Sequence, residues 1–346
     1  MYGIQARNVH QVLPCAMNQL QQHGVKRESR NGPVLVFPAP VIVQYERPWE
    51  RVMFWPERDC NPFFHLVESL WMLAGRNDVA FVAAYVKRMA DFSDDGQTFN
   101  AAYGFRWRKH FGKDQLYPIA LALKNNPDCR RQVLAMWDGF HDLGLQSKDL
   151  PCNTHAYFLR DTAGRLTMTV CNRSNDLVWG ALGANAVHFS VLQEYLAMLI
   201  GCEMGPYYQF SNNMHGYLAT AEPLFSLGNM PYQKVANNDP YQQGTTNYQP
   251  LLSPGELIEH WEADLQAFME LGTPPGLKTK FFRKVVAPMC NAYRRFKETE
   301  GGERYGAALE ALTACEAPDW QRAGNEWLLR RKAKFEKVMD DGVQHG

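Results

Sequence analysis

The chain has no surplus of charge, no long apolar run and no paired cysteines. Lysine and arginine together number 36 and aspartate and glutamate 36, a formal net charge of zero. Nucleic-acid binders carry a basic surplus where they face phosphates, so this balance argues against that class of partner. No apolar stretch approaches the roughly 18 residues of a membrane span, and the first residues lack a basic-then-apolar leader. Together these predict a cytoplasmic protein with no membrane partner. The eight cysteines, Cys15, Cys60, Cys129, Cys152, Cys171, Cys202, Cys290 and Cys315, form no CxxC pair. Zinc-site spacing is therefore absent, no metal is expected, and a disulfide framework does not suit a chain of this kind.

What is present is a sizeable core: 46% of residues are hydrophobic and 12% aromatic, which excludes global disorder. Residues 1–31 are polar and mixed, with one helix expected around Val12–His23. Lys26, Arg27 and Arg30 cluster before the turn signal Asn31-Gly32-Pro33, a solvated face or an anion site. Pro38 and Pro40 break the β-rich run 34–45 into a bent or edge strand. The periodicity predicts helices over 62–75, 79–89, 116–124, 187–200 and 257–271, and a mostly helical segment over 305–338. Residues 132–138 read as a strand, as do residues 207–214 with a turn. Residues 156–159 and 165–170 alternate around Asp161-Thr162-Ala163-Gly164 as a hairpin should. Residues 227–255 are rich in Asn, Gln, Tyr, Pro and Gly with almost no aliphatic period, the pattern of a functional or mobile loop.

Chemistry concentrates in residues 150–190. Cys152 follows a proline and precedes polar Asn153-Thr154, a poor continuation for a core strand, and so is the natural nucleophile. An ordinary thiol is only a few per cent thiolate at neutral pH, and making thiolate the main form takes roughly 2.7 kcal/mol of preferential stabilisation. One arginine in a partly desolvated site supplies that much, and Arg173 is the candidate. Glu68 lies on an otherwise apolar helix, either on its polar side or as a general acid/base with a raised pKa. Arg130 and Arg131 stand at the mouth of a strand; if they bind a ligand, phosphate fits the guanidinium fork best. Two chemistries fit these residues. A Cys/His hydrolase would pair Cys152 with His155 or His188. A thiol adding to an electron-poor ring would use an anion grip at Arg173 and Ser174, a carboxamide at Asn185 and a proton shuttle at Glu68.

The motifs PCNTHAYF, NRSNDLVWGALGAN and YQFSNNMH resemble, in order and spacing, the core of the thymidylate synthase family. Upstream, HLVESLWMLAG, YGFRWR and DQLYPIALALKNNPDCRRQVLAMWD resemble that family's preceding segments, so the likeness spans roughly residues 30–220. It implies an α/β (α+β) fold: a mixed sheet packed with helices, sheets of two subunits facing each other across a homodimer, and a helical C-terminal extension. A catalytic domain over 1–300 with a polar insertion at about 227–255, followed by an extension over 301–346, is the implied organisation. It also implies a pyrimidine nucleoside monophosphate substrate and 5,10-methylenetetrahydrofolate as co-substrate. By the resemblance Cys152 is the nucleophile, Tyr103 its neighbour, and Glu68 manages protons. Arg173 and Ser174, with Arg30, would grip phosphate, and Arg130 and Arg131 would reach it from the partner subunit. Asn185 would read the base with His188 beside it, and Asp176 would hold the pterin with Trp107 and Gly180 on the folate side.

The departures carry information. Asn153 stands where the family has histidine, and Tyr208-Gln209-Phe210 replaces a sugar-binding His-x-Tyr, so Tyr208 is the substrate-side candidate there. The turn before Asn185 is one residue longer than usual, and residues 89–92 lack the first of two tryptophans that shield the one-carbon unit. A less shielded pocket lets water, rather than hydride, finish the reaction. The resemblance therefore favours the hydroxymethylase branch, most simply a dUMP 5-hydroxymethyltransferase. A dCMP or CMP hydroxymethylase and a methylating synthase are the alternatives. Zero net charge and the presence of Cys152, Arg173 and Asp176 count against an idle nucleotide- or RNA-binding relative.

Overall fold

The computed structural model of the chain describes residues 1–344. Two compact units emerge, one formed by Met1–Arg51 with Glu68–Gln243, the other by Val52–Val67 with the chain from Gly244 onward.

The first unit begins with β1 (Tyr2–Ala6), α1 (Val9–His23), β2 (Val25–Arg27), β3 (Val34–Val36) and β4 (Val41–Tyr45). The helix α2 (Pro62–Leu73) supplies residues to both units. Then follow α3 (Val79–Tyr85), α4 (Tyr103–Phe105), α5 (Leu116–Asn125), β5 (Gln132–Ala135), β6 (Asn153–Arg160), β7 (Leu166–Asn172) and β8 (Asn175–Asp176). The unit closes with α6 (Asn185–Ile200), β9 (Met204–Ser211), β10 (Met214–Tyr217) and the short helices α7 (Leu218–Ala221), α8 (Phe225–Gly228) and α9 (Tyr232–Asn237). A six-stranded mixed sheet has the order β1-β4-β9-β7-β6-β5, and a four-stranded one the order β2-β3-β10-β8.

Period-2 patterning sets the large sheet. Along β7, Leu166, Met168 and Val170 are fully buried while Thr167, Thr169 and Cys171 between them are not, and each buried aliphatic of this size contributes about 1.5–3 kcal/mol. The buried face meets α6, whose side chains are buried on almost every side, as its lack of amphipathic period suggests. Gln193 pins this helix to the sheet, its amide nitrogen donating to the carbonyls of Leu166 (2.8 Å) and Gly205 (3.0 Å). Gly201 ends the helix in the left-handed region at φ 79°, which glycine adopts without a Cβ clash. The opposite face is open: Val133, Tyr157 and Leu159 are 49%, 45% and 49% exposed, with Val133 opposite Tyr157 across β5 and β6.

Several expectations shift. The run 34–45 is split between two sheets, with Pro38 and Pro40 in the crossing. The strand at 132–138 leaves the sheet after Ala135, and the helix at 79–89 stops at Tyr85 and gives way to a 3-10 turn, Lys87–Phe92. Residues 1–31 hold, besides α1, the strands β1 and β2. Between 227 and 255 the chain forms α9 and is anchored by Asp239, fully buried, which accepts hydrogen bonds from Asn8 and Gln11 (2.8 Å each).

The second unit is helical: α10 (Ile258–Leu271), α11 (Ala287–Glu298), α12 (Glu303–Leu312) and α13 (Pro318–Gln344). Trp261, Phe268, Phe281 and Phe282 form one aromatic core, and Phe63, Tyr293, Phe296 and Trp327 a second. Asp59 receives Arg330 (3.1 Å) and Arg331 (2.6 Å) from α13, an arrangement that holds its carboxyl below the usual range.

Candidate active site

The β6–β7 hairpin builds the centre. Its turn is tied by the backbone N–H of Gly164 donating to the carbonyl of Asp161 (2.8 Å), with Gly164 at φ 78°. At the other end the N–H of Arg173 donates to the carbonyl of Cys152 (2.9 Å), so thiol and guanidinium are brought together by strand pairing alone. A bulge between Asn153 and His155 interrupts the pairing there, and such bulges re-aim side chains at strand ends.

Cys152 is a free, half-buried thiol whose Sγ lies 3.9 Å from an Arg173 Nη atom. The Arg173 side chain is itself fixed, donating to the carbonyls of Pro151 (2.9 Å) and Leu150 (3.2 Å) and lying 5.7 Å from the Trp137 ring centre. The Tyr103 hydroxyl accepts from the backbone N–H groups of Cys152 (3.1 Å) and Asn153 (3.2 Å), fixing the backbone at the thiol. Tyr103 reaches this position because α4 lies against the end of α2. A Cβ on Gly104 would stand 1.9 Å from the Met72 carbonyl oxygen, so glycine is required there.

The thiol is not activated at rest. Burial pushes the Cys152 thiol up, and the attraction of Arg173 for thiolate only partly offsets this; Asp149 and Asp176 add to the rise. Burial outweighs the single arginine because the guanidinium is largely exposed and screened by water. Asp149, which the sequence did not single out, has its own carboxyl raised by burial while accepting from the N–H of Ala101 (3.0 Å). Cys129, also half-buried, is the reverse case, its thiol drawn down by the Arg131 backbone and Gln132. Cys15, in a depression lined by Pro14, Asn18, Gly228 and Tyr232, has its thiol raised by burial, and that depression holds no charged group.

Glu68 and His188 come together as a buried pair, with a carboxylate oxygen 3.0 Å from Nε2. His188 lies one turn beyond Asn185 on α6, so the carboxamide and the imidazole share one helix. The Asn185 carboxamide, 7% exposed, pairs with that of Asn153, fully buried, through bonds of 3.2 and 3.4 Å in opposite senses. Its nitrogen also donates to the Asn175 side-chain oxygen (3.2 Å). Gly180 allows this packing: a Cβ there would stand 2.6 Å from that oxygen.

Asp176 caps the segment Leu177–Ala184, accepting from the N–H groups of Val178 (3.1 Å) and Trp179 (3.3 Å). The turn before Asn185, expected to be one residue longer than usual, is π-helical, and i→i+5 winding takes more residues per turn than an α-helix. It leaves the Trp179 indole 57% exposed beside Asp176, a residue the sequence reading passed over for want of any periodic signal. Trp107 is fully buried on the edge of Phe189, 5.6 Å between ring centres, and presents no surface to a cleft.

The remaining candidates are dispersed. Ser174 is half-buried next to Arg173, while Arg130 and Arg131 are exposed before the edge strand β5 and Arg30 is exposed in the turn between β2 and β3. Tyr208 lies on the open face of the large sheet, opposite Gln44 and Thr169, whereas its neighbour Gln209 is fully buried and bonded to Asn175. Strand alternation therefore parts Tyr208 from the carboxamide cluster and puts Gln209, unmarked in the sequence, inside it.

Residues 11–235 match the family model for thymidylate synthase. The whole chain is 53% identical to a protein of Pseudomonas phage M6 named deoxyuridylate hydroxymethyltransferase, with 100% of both chains covered. A protein of the same name from Bacillus phage SP01 is 42% identical over 52% of this chain and 49% of its own length. A putative thymidylate synthase of Methanothermobacter thermautotrophicus is 37% identical over 36% of this chain and 54% of its own.

Proposed function

The chain belongs to the thymidylate synthase family of transferases, and from that premise we propose that it makes 5-hydroxymethyl-dUMP from dUMP. The observation that carries the chemistry is the Cys152 thiol 3.9 Å from Arg173, at the strand end where Asn153 pairs with the Asn185 carboxamide of α6. The choice of base and of product is supported by the full-length likeness to a phage deoxyuridylate hydroxymethyltransferase.

In this reading Arg173, Ser174 and Arg30 hold the phosphate, and Asn185 meets the uracil edge with one donor and one acceptor. The Cys152 thiol gives up its proton to water, its sulfur bonds to C6 of the base, and the C5=C6 electron pair moves to C5, which becomes the carbon nucleophile. Glu68, paired with His188, moves protons at the base through water. Once C5 carries an exocyclic methylene, water adds its oxygen there, the C5=C6 bond re-forms and the thiolate leaves C6. The residues suit a folate co-substrate: Asp176 offers acceptor oxygens beside the open Trp179 ring and the side-chain-free Gly180, a fit for a flat heterocycle bearing N–H groups. When bound, 5,10-methylenetetrahydrofolate supplies a one-carbon unit at the oxidation level of formaldehyde.

The open sheet face bearing Val133, Tyr157 and Leu159 supports a homodimer that covers it, and in this reading Arg130 and Arg131, exposed before the edge strand, would reach the partner's phosphate site. A catalytic domain over 1–300 with an extension over 301–346 belongs to the same reading.

Incubation with dUMP, dCMP and CMP in the presence of methylenetetrahydrofolate, with products weighed by mass spectrometry, tests it. The expected products are 5-hydroxymethyl-dUMP and tetrahydrofolate. Formation of 5-methyl-dUMP with dihydrofolate overturns the proposal in favour of a methylating synthase.

A further inference from the structure

We propose that Asn175 and Gln209 fix which end of the Asn185 carboxamide donates, and that this buried relay makes the site select uracil over cytosine. The inference rests on the reading that Asn185 meets the base.

A carboxamide reads opposite edges according to which way round it lies. Uracil presents a donor at N3 and an acceptor at O4; cytosine presents an acceptor at N3 and a donor at N4. Rotating Asn185 by half a turn about its last bond would exchange one preference for the other, so specificity requires something that forbids the rotation.

Asn153 does not forbid it. The Asn153–Asn185 pair is reciprocal, nitrogen to oxygen in both directions at 3.2 and 3.4 Å, and such a pair remains satisfied if both amides invert together. The constraint comes from the other side. The carbonyl of Ala181 can only accept, and it receives the Tyr45 hydroxyl (3.0 Å) and the Gln209 side-chain nitrogen (2.9 Å). Inverting Gln209 would set its oxygen against that carbonyl, acceptor facing acceptor in a fully buried place. An unmet buried pair of this kind is costly, because neither oxygen regains the hydrogen bond that water would give it. With its nitrogen so held, Gln209 turns its oxygen to Asn175 and accepts from the Asn175 amide nitrogen (3.1 Å). Asn175, 2% exposed, must then turn its own oxygen to Asn185, where it accepts from the Asn185 nitrogen (3.2 Å). Ser211 also touches the Asn175 nitrogen (3.0 Å), but a hydroxyl donates or accepts and so fixes no sense. One acceptor-only carbonyl thus sets the polarity of three amides in series, and the last of them is Asn185.

The resulting Asn185 edge has its oxygen placed for a donor and its remaining N–H for an acceptor. In the free chain Asn153 fills that edge with a donor and an acceptor in the order uracil presents them, at lengths long enough to yield to a ligand. Cytosine on the same edge would set acceptor against acceptor and donor against donor.

Titration calorimetry of dUMP and dCMP on the full chain and three variants tests the relay. The parent is expected to bind dUMP more tightly. Gln209→Leu removes the link to Ala181 and is expected to lower the dUMP/dCMP affinity ratio about tenfold or more, in line with the cost of mismatched hydrogen-bonding groups. Asn175→Ala releases Asn185 directly and is expected to lower it equally, so the test survives if one variant does not fold. A ratio unchanged in the folded variants, with both nucleotides weakened alike, overturns the relay and leaves a structural role only. Asn185→Asp separates the two levels. A shift towards dCMP in that variant supports the underlying reading of Asn185, whereas no change in base preference overturns that reading and the relay with it.

Discussion

Replacing Arg173 by glutamine isolates what the arginine does for the thiol. At the 3.9 Å separation of Nη and Sγ, a full charge pair is worth about 4 kcal/mol at an effective dielectric of ~20 and about 1 kcal/mol in bulk water. Arg173 is exposed, so screening favours the lower end, about 1–2 kcal/mol, or roughly five- to thirtyfold in the thiolate population. Arg173→Gln should therefore slow alkylation of Cys152 by iodoacetamide at neutral pH by that factor and move its pH profile upward. The profile is followed at the Cys152 peptide by mass spectrometry, from about pH 6 to about pH 10. Cys129, half-buried in the same chain and drawn down by its own neighbours, serves as internal reference and should be unaffected. Arg173→Lys keeps the charge but loses the fork that holds the carbonyls of Leu150 and Pro151. It should restore most of the alkylation rate while leaving the approach to Cys152 looser. An Arg173→Gln profile that coincides with the parent's would refute the electrostatic assignment, whatever happened to turnover.

Other outcomes follow from the same geometry. Because burial holds the Cys152 thiol above its ordinary range, the neutral form is the one the fold prefers. Its contribution to stability is complete at neutral pH and is lost as the pH rises through the raised value, so Cys152→Ser should flatten the alkaline limb of a stability–pH curve measured by urea unfolding. Glu68→Gln should leave dUMP affinity within a few-fold but lower kcat roughly a hundredfold or more, the usual size of a lost acid–base group; equal kcat would exclude Glu68 from proton handling. Gly104→Ala drives a methyl group into the Met72 carbonyl and should cost about 3 kcal/mol or more, read as a lowered Tm. Leu159→Asp on the open sheet face should convert a dimer to a monomer in light scattering, and an unchanged mass would count against that face as the interface.

How much could be read from residues alone follows from how local each feature is. The β6–β7 hairpin and α6 were legible because alternation, a turn sequence and an apolar run with a terminal glycine lie within a few residues of one another. Cys152 and Arg173 were legible as a pair because a hairpin must bring its ends together. β1 was not, since Tyr2–Ala6 becomes a strand only by parallel pairing with Val41–Tyr45, far along the chain. Gln209 was not, because nothing in its neighbours marks it; only the alternation of β9 turns it inward and leaves Tyr208 outside. Trp107 shows the converse error, a residue in a recognisable motif whose indole the fold uses as core. The rise of the Cys152 thiol was missed for a related reason: charge is visible in sequence, while desolvation depends on what finally covers the group.

Desolvation of the thiol bears on how the site would operate. A thiol held neutral by burial and only weakly coupled to an exposed arginine is a poor nucleophile towards whatever diffuses in. A bound nucleotide alters both terms. Its phosphate competes for Arg173, which removes part of the thiolate's support, while its base brings the electron-poor C6 against sulfur and gives the developing charge somewhere to go. In the proposed site the electrons would pass through C5 to O4, next to the Asn185 nitrogen whose direction the proposed relay sets. On this account the force that completes thiolate attack comes from the base edge as much as from the arginine. Substitutions in the buried amides should then slow covalent capture of a 5-fluorinated dUMP even where nucleotide affinity is kept. Retention of both affinity and capture rate in Asn175→Ala would mean that the relay neither orders the base nor receives its charge.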